Sequence, residues 1–192
     1  MELLKQRILN DAELKPGGVV IVSGFLNHRM DIPLIDEMGK EFYHLFGDKK
    51  PTVILTIEAS GIGIACIAAR YFGVNVVFAK KSQSRNLTEK VFCSRVRSFT
   101  KGTVFDVKVD QRYISPDDRV LIIDDFLADG EALRGLIDIV NQAGAEVVGA
   151  GICIEKAFQP GGRKLREAGL NLHSLVRLDL DADGNLIFAE DL

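Results

Sequence analysis

The sequence VLIIDDFLADGEALRGLIDIV, residues 120–140, joins a short aliphatic run to a helical pattern. Val120–Ile123 (VLII) is typical of a buried strand in a parallel sheet. Ala132–Ala143 repeats its apolar residues at the i, i+3, i+4, i+7 spacing of one helix face, at Leu133, Leu136, Ile137 and Val140. Gly144 follows at the position of a helix C-cap. A buried strand followed directly by an amphipathic helix is the repeating unit of an α/β protein.

The same alternation extends through most of the chain. Three further apolar runs predict strands at Thr52–Ile57, Val74–Ala79 and Val147–Ile154, and a small-residue helix at Gly61–Phe72 joins the first two. Strands that alternate with helices imply βαβ crossovers, so we expect an α/β fold with a mostly parallel central sheet flanked by helices. Thr103–Val109 alternates apolar and polar residues, which predicts an antiparallel hairpin or flap beside the sheet.

Length and composition narrow the class of protein. The 192 residues, 47% of them hydrophobic, fit a single folded domain. The 24 Lys and Arg residues are balanced by 27 Asp and Glu residues, which argues against a general nucleic-acid-coating protein. The longest run without a charged residue, 16–28, covers 13 residues, fewer than the roughly 20 that span a bilayer. Residues 1–15 mix charges with helically spaced apolar residues, unlike a signal peptide. We therefore expect a soluble protein.

The cysteines and histidines form no recognisable site. Cys66, Cys93 and Cys153 are widely separated and make no C-x-x-C pair, which predicts reduced thiols and a cytoplasmic location. The three histidines are equally scattered, at His28, His44 and His173. We treat all six residues as structural and predict no zinc site.

Two adjacent acids follow the strand of the opening motif. Asp124 and Asp125 precede a predicted loop of five residues and a helix. Two acids after a strand, taken alone, are more often a turn cap and a solvated charge than a site. Here, however, the small residues Ala128, Gly130 and Ala132 lie at the helix N-terminus, where free N–H groups and the helix dipole attract phosphate. Acids that grip hydroxyls, followed by a phosphate cradle, indicate a ribose-phosphate site.

This arrangement resembles the phosphoribosyl-diphosphate (PRPP) signature of the type I phosphoribosyltransferases. The resemblance implies the type I fold, with Asp124 and Asp125 as the catalytic pair on the ribose hydroxyls. It implies that the loop holds the 5′-phosphate of PRPP, through Ala128, Asp129, Gly130, Glu131 and Ala132. Asp129 and Glu131 stand where the family usually has hydroxyl or glycine residues, so the direction of their carboxylates sets the charge at this subsite.

Residues 80–101 (KKSQSRNLTEKVFCSRVRSFTK) contain seven Lys and Arg residues and a single acid, Glu89. The residues alone leave open a solvated basic face or an RNA-binding flap. The family resemblance implies a mobile flap that closes over the diphosphate. Lys80 and Lys81 match its basic positions, and Arg85 and Lys90 are weaker candidates.

A third loop follows the strand 52–57 and opens a helix. Its G-x-G, Gly61 to Gly63, lacks the downstream pattern of a dinucleotide-binding fingerprint, so NAD binding is a weak alternative. The family resemblance implies that backbone amides of this loop bind diphosphate, at Glu58, Ala59, Ser60 and Gly61. The small residues Ser60 and Gly61 allow the close approach that such binding needs.

Three separated segments resemble the bacterial members of this family that act on xanthine. They are residues 23–28 (SGFLNH), 124–128 (DDFLA) and 154–161 (IEKAFQPG). The resemblance implies purine contacts from Val20, Asn27 and Lys156, with a hood formed by about 1–35 and 156–192 over a core of about 36–155. Lys156 and the Asn27 amide are hydrogen-bond donors, which suits a purine bearing carbonyl oxygens.

The resemblance also implies a reaction and its partners. The 5-phosphoribosyl group of PRPP would pass to N9 of xanthine, giving xanthosine 5′-monophosphate (XMP) and diphosphate in purine salvage. It implies Mg²⁺ on the diphosphate and a homodimer, without nucleic acid or membrane partners. Two alternatives stay open: a non-catalytic PRPP or purine sensor, favoured by Asp129 and Glu131, and a hypoxanthine or guanine phosphoribosyltransferase.

Overall fold

The computed structural model describes residues 1–15, 18–81, 90–97 and 104–189. Arg85 and most of the basic segment 80–101 lie outside these ranges, as does the predicted flap movement. The helices are α1 (Glu2–Asp11), α2 (Ile32–Phe46), α3 (Ser60–Phe72), α4 (Glu131–Gln142) and α5 (Gly161–Glu167). The strands are β1 (Glu13–Lys15), β2 (Val19–Ile21), β3 (Val53–Ile57), β4 (Asn75–Ala79), β5 (Val91–Arg97), β6 (Val104–Asp110), β7 (Arg119–Leu127), β8 (Glu146–Lys156), β9 (Leu172–Leu180) and β10 (Leu186–Phe188). Single helical turns cover Ser23–Asn27, Gly47–Lys49 and Gln111–Tyr113.

A six-stranded sheet in the order β10-β9-β8-β7-β3-β4 forms the centre of the molecule. All neighbouring pairs are parallel except β9 and the edge strand β10. The predicted α/β class with a mostly parallel sheet is therefore confirmed. The helix α4 ends as expected, because Gly144 adopts a left-handed φ of 71° just beyond it.

The predicted end of strand β7 was wrong. The sequence pattern ended this strand at Ile123, but the pairing with β8 continues to Leu127, opposite Glu155. The backbone groups around Asp124 and Asp125 thus find partners in the neighbouring strand, so polar side chains do not interrupt the ladder. The connection to α4 shrinks from the predicted five residues to residues 128–130.

The antiparallel hairpin predicted beside the sheet is β5–β6, in register from Val91 opposite Asp110 to Arg97 opposite Val104. A β-bridge between Lys80 and Lys108 joins it to the end of β4. Helix α4 packs against this hairpin so closely that a Cβ atom added at Gly135 would lie 2.5 Å from a methyl of Val96.

Helices cover both faces of the sheet. On one face α1, α2 and α3 enclose a core that includes Phe42 and Phe46, and these two rings lie over glycines of β8. On the other face α4 and the β5–β6 hairpin bury Leu136 and Val107. Among the described residues, no helix is both long enough and apolar enough to cross a membrane.

Helix α1 offers a matched test of this packing. Leu4 is fully buried, whereas Leu9 on the opposite side is 61% exposed. We expect Leu4→Ala to lower the free energy of unfolding by about 2–5 kcal/mol, because it leaves a cavity in the core. Leu9→Ala should change it by less than about 0.5 kcal/mol. Urea unfolding of both variants measures the difference, and equal effects would contradict the described docking of α1.

Candidate active site

The carboxyl ends of β3, β4, β7 and β8 meet at one edge of the sheet, which is where ligands bind in such folds. Glu58–Gly61 follows β3, Lys80 and Lys81 follow β4, and Lys156 ends β8. Asp124 and Asp125 lie near the end of β7, so the structure brings the loops selected from the sequence to a common edge.

Asp124 is only 5% exposed. Its Oδ1 accepts a hydrogen bond from the Asp125 N–H at 3.0 Å. Burial, and then the charge of Asp125, raise the pKa of Asp124 well above its usual value, and the nearby Lys81 charge opposes this shift only in part. Asp124 therefore keeps its proton to a higher pH than an exposed aspartate does.

Gly61 lies against Asp124 at the start of α3. A Cβ atom added there would lie 2.1 Å from the Thr56 hydroxyl and 3.0 Å from Asp124 Oδ1. The Thr56 hydroxyl is buried and has no hydrogen-bond partner in the described structure. Only glycine lets this turn approach β3 and β7 so closely. Earlier in the same loop, the peptide bond between Glu58 and Ala59 is cis.

Asp125 is more exposed than Asp124 and is reached from the N-terminal segment. The side-chain amide of Asn27 donates to Asp125 Oδ2 at 3.3 Å. Two of the sequence candidates for different subsites, ribose and purine, thus contact each other directly.

The loop 128–130 runs into α4, with Gly130 in the left-handed region at φ 85°. Asp129 Oδ1 accepts a hydrogen bond from the Glu131 N–H at 3.1 Å. Arg134 Nη1 donates to the Glu131 carboxylate at 2.6 Å and to the Asp129 carbonyl at 3.1 Å. Both acids that depart from the family pattern therefore have local partners. Ala128 and Ala132 are partly buried beside them.

Sequence reasoning missed Arg134 as part of this loop. The signal was present, because an acid and a base three residues apart on a helix are neighbours on its surface. The Arg134 guanidinium offsets the charge of Glu131 beside the cradle. The Asp129 carboxylate instead bonds the Glu131 N–H, so the pairing bears on the charge of one of the two acids.

Glu58 holds the segment that follows β4, because its carboxylate accepts a hydrogen bond from the Lys81 N–H. Lys80 bonds through its backbone to Lys108. The two ammonium groups lie over aromatic rings, Lys80 over Phe78 at 5.9 Å and Lys81 over Phe105 at 5.7 Å. Lys90 directly precedes β5, and its backbone carbonyl accepts a hydrogen bond from the Gln111 N–H at 3.2 Å.

Lys156, one of the expected purine residues, ends β8 and contacts the N-terminal segment. Lys156 Nζ donates to the Gly18 carbonyl at 3.1 Å and lies 5.7 Å from the centre of the Phe126 ring. Burial lowers the pKa of the Lys156 ammonium. Val20, two residues beyond Gly18, is 8% exposed on β2.

Two phenylalanines from the same segments differ in position. Phe25 is fully buried in the core, so it is not available to stack on a ligand. Phe158 lies against Gly18, whose added Cβ would be 3.0 Å from its ring.

Among the described residues no group of three or more His, Cys, Asp or Glu side chains could hold a metal ion.

Comparison with known proteins identifies the class. The model of the phosphoribosyl transferase domain matches residues 31–168. The chain therefore belongs to the phosphoribosyltransferase family, and the resemblance inferred from its motifs is confirmed.

Particular relatives lie within this family. The xanthine phosphoribosyltransferase of Lachnoclostridium phytofermentans is 56% identical, with all of both chains covered. That of Ruminiclostridium cellulolyticum is 53% identical over 99% of this chain and 100% of its own. Among solved structures, an adenine phosphoribosyltransferase from Giardia lamblia complexed with 9-deazaadenine superposes with a TM-score of 0.78 and 22% identity. It covers 91% of this chain and 97% of its own, which confirms the type I fold.

The buried carboxyl of Asp124 predicts an unusual pH dependence of stability. Its raised pKa means that the native state holds this proton more tightly than the unfolded chain does, so its contribution to stability is lost as pH rises above about 4. Asp124→Asn removes that loss. We expect the variant to unfold at a higher urea concentration than the wild type at pH 7, and the difference to shrink as the pH falls toward 4.

Asp118 is the matched control. Burial acts to raise its pKa, but hydrogen bonds from Ser115 and Thr52 outweigh burial and lower it. Asp118 thus stabilises the native state above its unfolded pKa, and Asp118→Asn should be less stable than the wild type at pH 7. Urea unfolding between pH 4 and 8 compares the two variants, and a loss of stability in both would contradict the buried position of Asp124.

Proposed function

We propose that this chain transfers the 5-phosphoribosyl group of PRPP to N9 of xanthine, giving XMP and diphosphate in purine salvage. The observation that carries the proposal is the contact between Asn27 and Asp125, because it joins a purine candidate to a ribose candidate at one edge of the sheet. Full-length identity of 56% and 53% to proteins named xanthine phosphoribosyltransferase supports the same substrate.

The donors near the end of β8 favour a purine with carbonyl oxygens. The Lys156 ammonium can only donate, and it already holds a carbonyl oxygen, that of Gly18. The Asn27 side-chain amide donates one N–H to Asp125 and has a second N–H for another acceptor. Xanthine presents carbonyl oxygens at both C2 and C6, whereas adenine presents an amino group at C6, so these two donors match xanthine better.

The proposed phosphoribosyl transfer requires stabilisation of developing charges rather than a nucleophilic side chain. As the bond from ribose C1′ to diphosphate breaks, positive charge develops on the sugar and negative charge on the leaving group. The Asp125 carboxylate would face the sugar and orient its hydroxyls together with Asp124. Backbone N–H groups at Ser60 and Gly61, with the ammonium groups of Lys80 and Lys81, would stabilise the departing diphosphate.

The side chains present fit the Mg²⁺ that this family is expected to use. Mg²⁺ usually keeps several waters and binds one or two carboxylates together with phosphate oxygens, rather than a cage of protein ligands. Asp125, the more exposed of the two adjacent acids, is a carboxylate at the sheet edge that would hold it together with PRPP. When bound, Mg²⁺ neutralises charge on the diphosphate.

The loop 128–130 and the start of α4 would bind the 5′-phosphate. Arg134 pairs with Glu131, which removes one source of repulsion, and it adds N–H donors beside the loop. Asp129 caps the Glu131 N–H, so the phosphate would compete with this carboxylate for that one amide. The pairing of Arg134 with Glu131 favours a working phosphate subsite, whereas the Asp129 contact favours the sensor alternative.

The larger organisation is also part of the proposal. We assign a hood to about 1–35 and 156–192 and a core to about 36–155. The Lys156 contact with Gly18 supports this division, because it joins the two hood segments. A homodimer and a cytoplasmic location follow from the family resemblance and the free thiols as predictions.

Initial rates with PRPP, Mg²⁺ and each of xanthine, hypoxanthine, guanine and adenine test the proposed substrate. Lys156→Ala should lower kcat/KM for xanthine by about 10- to 100-fold, because a hydrogen bond from a charged donor contributes about 1.5–3 kcal/mol. Lys164→Ala, an exposed lysine on α5, is the control and should match the wild type. Activity with none of the four bases would favour the sensor, and unchanged xanthine use by Lys156→Ala would refute the base assignment.

Asp125→Asn separates the ribose role from the base role. The substitution keeps the shape of the side chain and its contact with Asn27 but removes the charge that faces the sugar. We expect kcat to fall at least about tenfold with every accepted base, since a preorganised electrostatic contact to the transition state is lost. Steady-state kinetics with two bases measure this, and a loss confined to one base would contradict the role.

A further inference from the structure

The first two residues of α5 are glycines, and they lie close to the loop 128–130 and to the buried carboxylate of Glu155. A Cβ atom added at Gly161 would lie 2.3 Å from the Ala128 carbonyl oxygen and 2.6 Å from the Gly130 nitrogen. These atoms belong to the backbone, so they cannot rotate away as the end of a side chain could. Leu165, one turn further, lies against Gly130 from the same helix.

Gly162 faces the other partner. A Cβ atom added there would lie 2.0 Å from Glu155 Oε1. Glu155 is 2% exposed, and both its oxygens accept hydrogen bonds from Arg166, at 2.8 and 2.6 Å. Burial acts to raise the pKa of Glu155, but the bonds from Arg166 and Ser174 outweigh it and lower the pKa. The carboxylate is thus a charged anchor that ties α5 and β9 to the end of β8.

Lys156 follows this anchor directly. The turn that begins there is closed by a hydrogen bond from the Gln159 N–H to the Lys156 carbonyl at 2.9 Å. A second bond, from the Ala157 N–H to the Leu178 carbonyl at 2.7 Å, attaches the turn to β9. Residues 156–161 therefore form a braced segment with the purine candidate at one end and the phosphate loop at the other.

We propose that Gly161 and Gly162 are positioning residues that set the distance between the base subsite and the 5′-phosphate subsite. Their missing side chains let α5 rest on the backbone of residues 128–130 and on Glu155 at once. Lys156 and the loop 128–130 are thereby held at a fixed distance from each other. The purine and the 5′-phosphate of PRPP can then be bound at the same time, with ribose C1′ facing the purine. The inference rests on the proposed function for the identity of the two subsites.

Gly161→Ala tests whether this distance matters for substrate binding. The added methyl pushes α5 away from the loop, so we expect the KM for PRPP to rise about tenfold, equivalent to about 1.4 kcal/mol. The KM for xanthine at saturating PRPP should rise at least about threefold, because Lys156 lies on the same braced segment. Lys156→Ala, in contrast, should raise the xanthine KM alone. Gly47→Ala, a helical glycine at the end of α2 beside the exposed Tyr43 ring, is the control and should leave both constants unchanged.

A merely structural role gives a different result. Loss of folded enzyme lowers the apparent kcat and the melting temperature but leaves both KM values within twofold of the wild type, and that outcome overturns the proposal. Leu165→Ala loosens the same contact without adding an atom, and it keeps the test valid if Gly161→Ala does not fold. We expect it to raise the KM for PRPP about threefold, and an unchanged value would also overturn the proposal.

Calorimetry with PRPP separates this inference from the proposed function. If the wild type binds PRPP but transfers its phosphoribosyl group to none of the four bases, the proposed reaction fails. The effect of α5 on the phosphate loop can still be measured as a change in PRPP affinity. A roughly tenfold weaker Kd in Gly161→Ala then supports the positioning role, and an equal Kd refutes it. If the wild type does not bind PRPP, both proposals fail.

Discussion

The parallel pairing of β7 with β8 up to Leu127 and Glu155 is the constraint on which the site depends. It carries the two aspartates to the same edge of the sheet as Lys156, although about thirty residues separate them in sequence. The short loop 128–130 follows at once, so the two acids and the proposed phosphate-binding loop are adjacent parts of one strand and its connection to α4. The proposed site therefore depends on the register of β7 against β8.

The same edge concentrates arrangements that cost stability. Asp124 is buried beside another acid, and the Thr56 hydroxyl has no partner among the described residues. A fold selected only for stability would fill such positions with apolar side chains. Their placement beneath the Gly61 turn fits a surface prepared for a charged ligand, where the compensating contacts come from the substrate. The buried carboxylate of Glu155, in contrast, is paired with Arg166 and Ser174. It therefore needs no ligand to compensate its charge, as expected of a residue that supports the site.

Hydrophobic periodicity sufficed to predict the four parallel strands β3, β4, β7 and β8, the helices α3 and α4, and the β5–β6 hairpin. The outer strands β9 and β10 of the same sheet were not predicted. It failed at the end of β7, where backbone pairing with a neighbour outweighed the polar side chains. The candidate residues were found as loop motifs, but their contacts were not. The bond between Asn27 and Asp125, the pairing of Arg134 with Glu131, and the backbone approach of Gly161 join residues that only the folded chain brings together. No local pattern carries the first or last of these.

The bond between Lys156 and the Gly18 carbonyl has a consequence for the proposed base subsite. A lysine ammonium has three N–H donors and no acceptor. The Gly18 carbonyl takes one donor, and this contact holds the ammonium in place with two donors left over. A purine carbonyl would therefore meet a donor that is already positioned, whereas an amino group would find no acceptor on Lys156.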